Sequence, residues 1–375
     1  MTARFSTATP DPGGRIQSEH GASSDVRQRI RWLTPTASVA ATLAVTLVLV
    51  CGTAYLAMRG APSALRFFDP RRSPTFDETC VVSAMDYALS STEANDVIFI
   101  GDSACRTGVD PVRFERATGL GAYNLGIVGD LGPGVMLNVA KGYLSTHSTP
   151  RLVVLCLSPV GLERDVPWYW TKLRNHFVDC YGFDVRSPRS LEGNLGYTFR
   201  QGTLLAWNAA SASLTGKSDD VRDCALIGME KVTYRQFERV ARQKRGHFEL
   251  PGSGPTKNLD RPGNIVEIHD VWDSGVRRLV EACDNAGVPL LIRFCPVSAE
   301  ATRNLKFERV EAWLKNLQAS SPRLLSGDHD KILRYPPELC WDYSHPNPLG
   351  AQKFTQLVAD DVRFALDFAR QAKGK

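Results

Sequence analysis

Val97-Ile-Phe-Ile-Gly-Asp-Ser103 is the stretch that decides how this chain folds. Its first four residues are apolar, β-branched or aromatic, and unbroken, which suits a strand buried on both faces. The run halts at Gly101-Asp102-Ser103, and a helical stretch follows over Pro111–Thr118, with Pro111 where a first helical turn accepts it. Strand, tight turn and helix make up half of a βαβ unit.

Outward from this stretch the alternation repeats. A second strand is predicted over 122–127, a helix over 135–144, and a third strand at Leu152-Val-Val-Leu-Cys-Leu157. Regularity then lapses from about 159 to 264, an insertion that holds Trp168, Trp170 and Trp207 and a helix-like piece over 232–244. Alternation resumes with a long amphipathic helix over 265–286 ended by Gly287, a residue suited to a helix C-terminus. A strand over 288–294, a helix over 301–319, a short strand over 323–325 and a closing helix over 351–369 complete the chain. Parallel strands joined by crossover helices predict an α/β fold, a three-layer α/β/α sandwich. The insertion leaves from the carboxyl ends of the strands, where such sheets bind ligands.

Upstream, residues 36–58 carry no charge, and at about 1.5 Å per residue a helix of this length crosses a hydrocarbon core of about 30 Å. Residues 1–35 read as a flexible polar tail, 59–95 as a linker and 96–370 as the folded body. Arg27, Arg29 and Arg31 precede the span and Arg59, Arg66, Arg71 and Arg72 follow it, so charge alone does not orient it. A single span ahead of a large body is most simply a signal anchor, with the lipid bilayer as its partner and the body outside the cytoplasm. The alternative is a cleaved signal peptide, whose apolar region is normally shorter and nearer the start. Lipidation at Cys51 is disfavoured by the bulk of Val50.

Composition narrows the classes further. With 43% hydrophobic residues in 375, the chain can bury a full core, which excludes wholesale disorder. Its 45 basic and 40 acidic side chains are too balanced for a nucleic-acid footprint. Nine Cys without a C-x-x-C pair exclude zinc-ribbon and thioredoxin readings. Cys156 and Cys295 lie in apolar runs and read as buried thiols; Cys180 with Cys224 is the one disulfide worth considering.

Three blocks carry chemistry. Ser103 at a strand-to-helix turn brings a hydroxyl to the ligand edge, with its own N–H available to an oxyanion. Asn124-Leu-Gly-Ile-Val-Gly129-Asp130 ends the second strand, and a Gly there lets backbone approach a substrate oxygen. Trp341-Asp-Tyr-Ser-His-Pro346 places Asp342 and His345 three apart on a loop, so the carboxylate can hold the imidazole while Nε2 faces the Ser.

In this order and at these distances the blocks resemble the SGNH (GDSL-type) hydrolase superfamily, and most of all its membrane-anchored, extracytoplasmic branch. Ile100-Gly-Asp-Ser103 matches the first family block, Gly129 the second-block oxyanion Gly, and Asp342 with His345 the final Asp-x-x-His. The resemblance spans about residues 97 to 369, although some fifteen residues carry it. It implies a flavodoxin-like parallel sheet, a Ser103–His345–Asp342 triad, no metal or organic cofactor, and an acylated envelope glycan or small ester as substrate. Relatives of this branch add or remove acyl groups on envelope polysaccharides, so envelope protein partners are implied as well. One block departs: after Leu157 the chain reads Ser-Pro-Val-Gly161, without the family's oxyanion Asn, and the Ser158 hydroxyl is the conjectured replacement.

Other readings compete at each position. Ser103 can be an N-cap, Asp102 a loop brace, His345 a loop residue held by Asp342, and Cys105 a packed thiol. Asp328-His-Asp330 reads as a solvated turn rather than a metal site. Trp168 and Trp170 are expected to contact substrate from the insertion; packing into a satellite core is the other outcome. A catalytically silent SGNH-like scaffold or glycan-binding module is the rival function.

Overall fold

The structure, a computed structural model, describes residues 22–60, 75–165, 203–204, 206–207, 220–221, 232–250, 264–325 and 331–373. In chain order its elements are α1 (Ala22–Gly60), α2 (Phe76–Ser90), β1 (Val97–Gly101), α3 (Ser103–Gly108), α4 (Pro111–Thr118) and β2 (Ala122–Asn124). There follow α5 (Pro133–Thr146), β3 (Leu152–Leu157), β4 (Asp220–Val221), β5 (Val232–Thr233), α6 (Tyr234–Gln243) and α7 (Asp270–Ala286). Last come β6 (Leu290–Phe294), β7 (Val297–Ser298), α8 (Glu308–Ser320), β8 (Leu324–Leu325), β9 (Arg334–Tyr335) and α9 (Pro348–Lys373).

Helix α1 belongs, as far as Thr53, to a unit of its own, and its last residues fall in the second unit. Its stretch Pro35–Ala57 is the one helix among the described residues long and apolar enough to cross a membrane. The helix starts at Ala22, which corrects the expectation of a flexible tail up to residue 35. Val26, Ile30 and Leu33 recur at i, i+4 and i+7. Once the apolar span has nucleated a helix, adding such upstream residues costs little.

In the body, β1, β2, β3, β6 and β8 form one parallel sheet in the order β2-β1-β3-β6-β8. Alternation along each strand feeds two cores. Ile98, Ile100, Val153, Leu155, Leu290 and Ile292 share one with Val82 of α2, Val139 of α5, Leu279 of α7 and Leu314 of α8. Val97, Phe99, Leu152, Val154 and Leu291 share the other with Phe114 of α4 and Phe354, Val358 and Val362 of α9. Behind the sheet, Arg293 of β6 is buried against Asp361 of α9 at 2.7 Å. Removing either partner would strand a buried charge.

The expected linker over 59–95 is corrected as well, because α2 is part of the body. Thr75 and Glu78 close a capping box at its start, and Cys80, Val81, Val82, Met85 and Ala88 are buried. A helix covered on several sides shows no amphipathic stripe, so periodicity did not reveal it. Other boundaries move at caps. Helix α7 starts at Asp270 rather than 265 because His269 caps it, and α8 starts at Glu308 because 299–304 form turns. Strand β2 ends at Asn124, yet Leu125 and Ile127 still donate to the carbonyls of Phe99 and Gly101 at 2.8 and 2.9 Å.

Candidate active site

In a parallel sheet the turns after β1, β2 and β3 share one edge. The turn after β1 is tight because Gly101 faces β3: a Cβ there would lie 1.8 Å from the Cys156 carbonyl oxygen. Asp102 caps α3, its Oδ1 accepting from the N–H groups of Ala104 (2.9 Å) and Cys105 (3.3 Å). Its Oδ2 accepts from the N–H of Ser158 at 2.7 Å, tying the turn after β1 to the turn after β3. Ser103 thereby stands at the first position of α3, with its hydroxyl at the edge.

The partner arrives from the far end of the chain. Asp342 Oδ1 accepts the N–H groups of Ser344 (2.7 Å) and His345 (2.8 Å), folding the loop into an Asx-type turn. Asn347 caps α9 through Leu349 and Gly350, which anchors the loop's other end. His345 Nδ1 lies 2.8 Å from Asp342 Oδ2, and Nε2 lies 2.8 Å from Ser103 Oγ. A carboxylate only accepts, which assigns the ring proton to Nδ1 and leaves Nε2 to accept from the Ser103 hydroxyl.

Electrostatics follow from this geometry. Burial opposes a charged His345, but the hydrogen bond and charge of Asp342, aided by Asp102, outweigh it and lift His345 above the ordinary histidine value. Burial would raise Asp342, but the bond and charge of His345 and two backbone N–H groups hold it below the ordinary carboxylate range. At Asp102 burial prevails over its N–H partners and raises the carboxyl.

A cleft of about 270 Å³ opens here, lined by Ser103, Gly129, Ser158 and His345 together with Asp102, Gly161, Val128, Trp341 and Tyr343. Asp342 stands behind His345. The structure thus brings together Ser103, His345, Asp342, Gly129 and Ser158, while Trp168, Trp170, Cys180, Cys224 and residues 328–330 lie outside the described residues. Gly129 packs closely, since a Cβ there would sit 3.2 Å from Asp102 Cβ. The Ser158 hydroxyl is buried with no hydrogen-bond partner among the described residues. Asp102 acts as the loop brace, and Cys105 is a packed thiol raised further by burial.

Sequence reasoning missed several walls of the cleft. Phe76 and Asp77 come from α2, Leu250 from within the insertion, and Trp272 from α7. Arg164, in the turn after β3, donates to Tyr343 Oη at 2.7 Å, and Trp272 Nε1 donates to the Arg164 carbonyl at 3.1 Å. The one available signal was position: Arg164 follows a strand's carboxyl end. No protein-family model matches this chain, and no curated protein matches it either.

Proposed function

We propose that this chain is a membrane-anchored serine esterase or O-acyltransferase of the SGNH (GDSL-type) kind. The observation that carries the reading is the unbroken relay Asp342–His345–Ser103, with both links at 2.8 Å. Cores on both faces of the sheet support a three-layer α/β/α sandwich, and the strand order supports a flavodoxin-like sheet. A single apolar span ahead of the whole body supports an anchor with the body outside the cytoplasm, near acylated envelope glycans.

In this reading Ser103 Oγ attacks an ester carbonyl and His345 Nε2 takes its proton, while Asp342 orients the ring and stabilises the imidazolium. The N–H groups of Ser103 and Gly129 hold the oxyanion, with the Ser158 hydroxyl as a third donor. Collapse returns the proton to the leaving alcohol and leaves an acyl-Ser103, which water or a sugar hydroxyl then resolves. No step calls for a metal or organic cofactor.

The deciding experiment is labelling with a fluorophosphonate probe. The intact chain should be labelled and Ser103→Ala should not be. The rival reading, a silent scaffold or glycan-binding module, draws on Ser158 standing where an Asn is wanted. An unlabelled wild type that also fails to hydrolyse p-nitrophenyl esters would establish that rival. A reporter fused after Lys375 tests orientation, since activity only on export is expected.

A further inference from the structure

Beside α3, the insertion returns to the body. Asn124 N–H donates to the Arg245 carbonyl at 2.9 Å, and Phe248 N–H donates to the Arg106 carbonyl at 3.3 Å. Between these two tethers Gly246 adopts φ 86° and packs so closely that a Cβ would lie 1.9 Å from the Asn124 carbonyl oxygen. This return brings His247 and Glu249 beside Asp110, the N-cap of α4. One ligand atom from each of the three lies within 4.8 Å of the other two.

We infer that Asp110, His247 and Glu249 form a binding site for a divalent transition-metal ion of the zinc type. This inference does not depend on the proposed esterase reading. His247 is 1% exposed, and its Nδ1 lies 3.0 Å from the Arg106 carbonyl oxygen. A carbonyl only accepts, so the ring proton sits on Nδ1 and Nε2 is left as the acceptor. A histidine whose other ring nitrogen donates to a backbone carbonyl is the form in which imidazole usually binds a metal.

Two carboxylates and an imidazole therefore converge, a donor set suited to a cation. Arg113 Nε lies 3.2 Å from Asp110 Oδ2 and Lys244 Nζ 3.4 Å from Glu249 Oε1; both cations are half-exposed, so a metal ion can displace them. Asp110 Oδ1 already accepts from Val112 and Arg113 N–H, yet a carboxylate keeps further lone pairs for a metal. Imidazole and carboxylate suit Zn²⁺ at about 2.0–2.2 Å, and three protein ligands leave a position for water. Such an ion would fasten the returning insertion to the body.

The test uses the full chain in detergent micelles, stripped with a chelator and titrated with Zn²⁺ against a chromophoric competitor. Asp110→Asn keeps the helix cap, and Glu249→Gln alters an exposed side chain, so both variants should fold. The wild type should bind one Zn²⁺ per chain more than either variant, or bind it at least about tenfold more tightly. Zn²⁺ should also raise the melting temperature of the wild type and not that of Glu249→Gln. Zinc held by thiols is common to all three chains and cancels. Equal uptake by wild type and both variants, or no uptake by the wild type, would overturn the site.

Discussion

The turn after β1 and the turn after β3 lie side by side on one sheet edge, yet they use their polar groups differently. After β1, the Asp102 side chain absorbs the N–H groups of Ala104 and Cys105, and Ser103 Oγ engages His345. After β3, the Ser158 N–H is consumed by Asp102 and its hydroxyl is left without a partner among the described residues. One turn is complete before any substrate arrives; the other holds a donor in reserve. A buried, unpartnered hydroxyl is costly enough to call for an explanation, and waiting for an oxyanion is one. A single buried carboxylate organises both turns, so neither is independent of the other.

The largest effect should come from the finished side of the comparison. Asp342→Asn keeps an oxygen for the Ser344 and His345 N–H groups but favours the wrong imidazole tautomer. Turnover of p-nitrophenyl acetate should fall by up to about 10⁴. A loss below about tenfold would mean that His345 is oriented by something other than Asp342. The reserve side comes next. Ser158→Ala should lower kcat by about 10²–10³ with little change in KM, as expected for the loss of one oxyanion donor. Unchanged kcat together with a higher melting temperature would reduce Ser158 to an unsatisfied packing residue.

The link between the turns should cost less. Asp102→Asn keeps one acceptor oxygen and turns an amide toward the N–H group it formerly bound. Urea unfolding should show a loss of about 1–3 kcal/mol. Wild-type stability in this variant would separate the two turns after all. The smallest effect is on pH. Because His345 lies above the ordinary value and must be neutral to act as base, kcat/KM should rise with pH through a midpoint above about 6.5. Asp342→Asn should move that midpoint down, since it removes the leading cause of the upward shift.

Much of the fold was legible because the strands obey a simple rule. Val97–Gly101 and Leu152–Leu157 are buried on both faces, so unbroken apolar runs marked them. Ser103, Asp342 and His345 were legible because short-range chemistry constrains them: a strand-to-helix turn and an Asx-type turn both require particular residues. Phe76, Leu250 and Trp272 were not, because their place in the cleft depends on long-range packing that leaves no local periodicity. Helix α2 escaped for the opposite reason, being apolar on too many sides to show a stripe. Asp110, His247 and Glu249 come together only when the insertion folds back, and no spacing rule joins residues so far apart.

The Ser103–His345 contact joins residues 242 positions apart. Contacts of such separation form late, after the loop between them has paid its closure entropy. A chain made from its N-terminus presents Ser103 as an ordinary, unactivated alcohol until the loop before α9 has docked. Under the proposed esterase reading, nascent and truncated copies should therefore be chemically inert toward esters, and reactivity of Ser103 would be a readout of completed folding. A probe that labels this serine would count native molecules and pass over every intermediate.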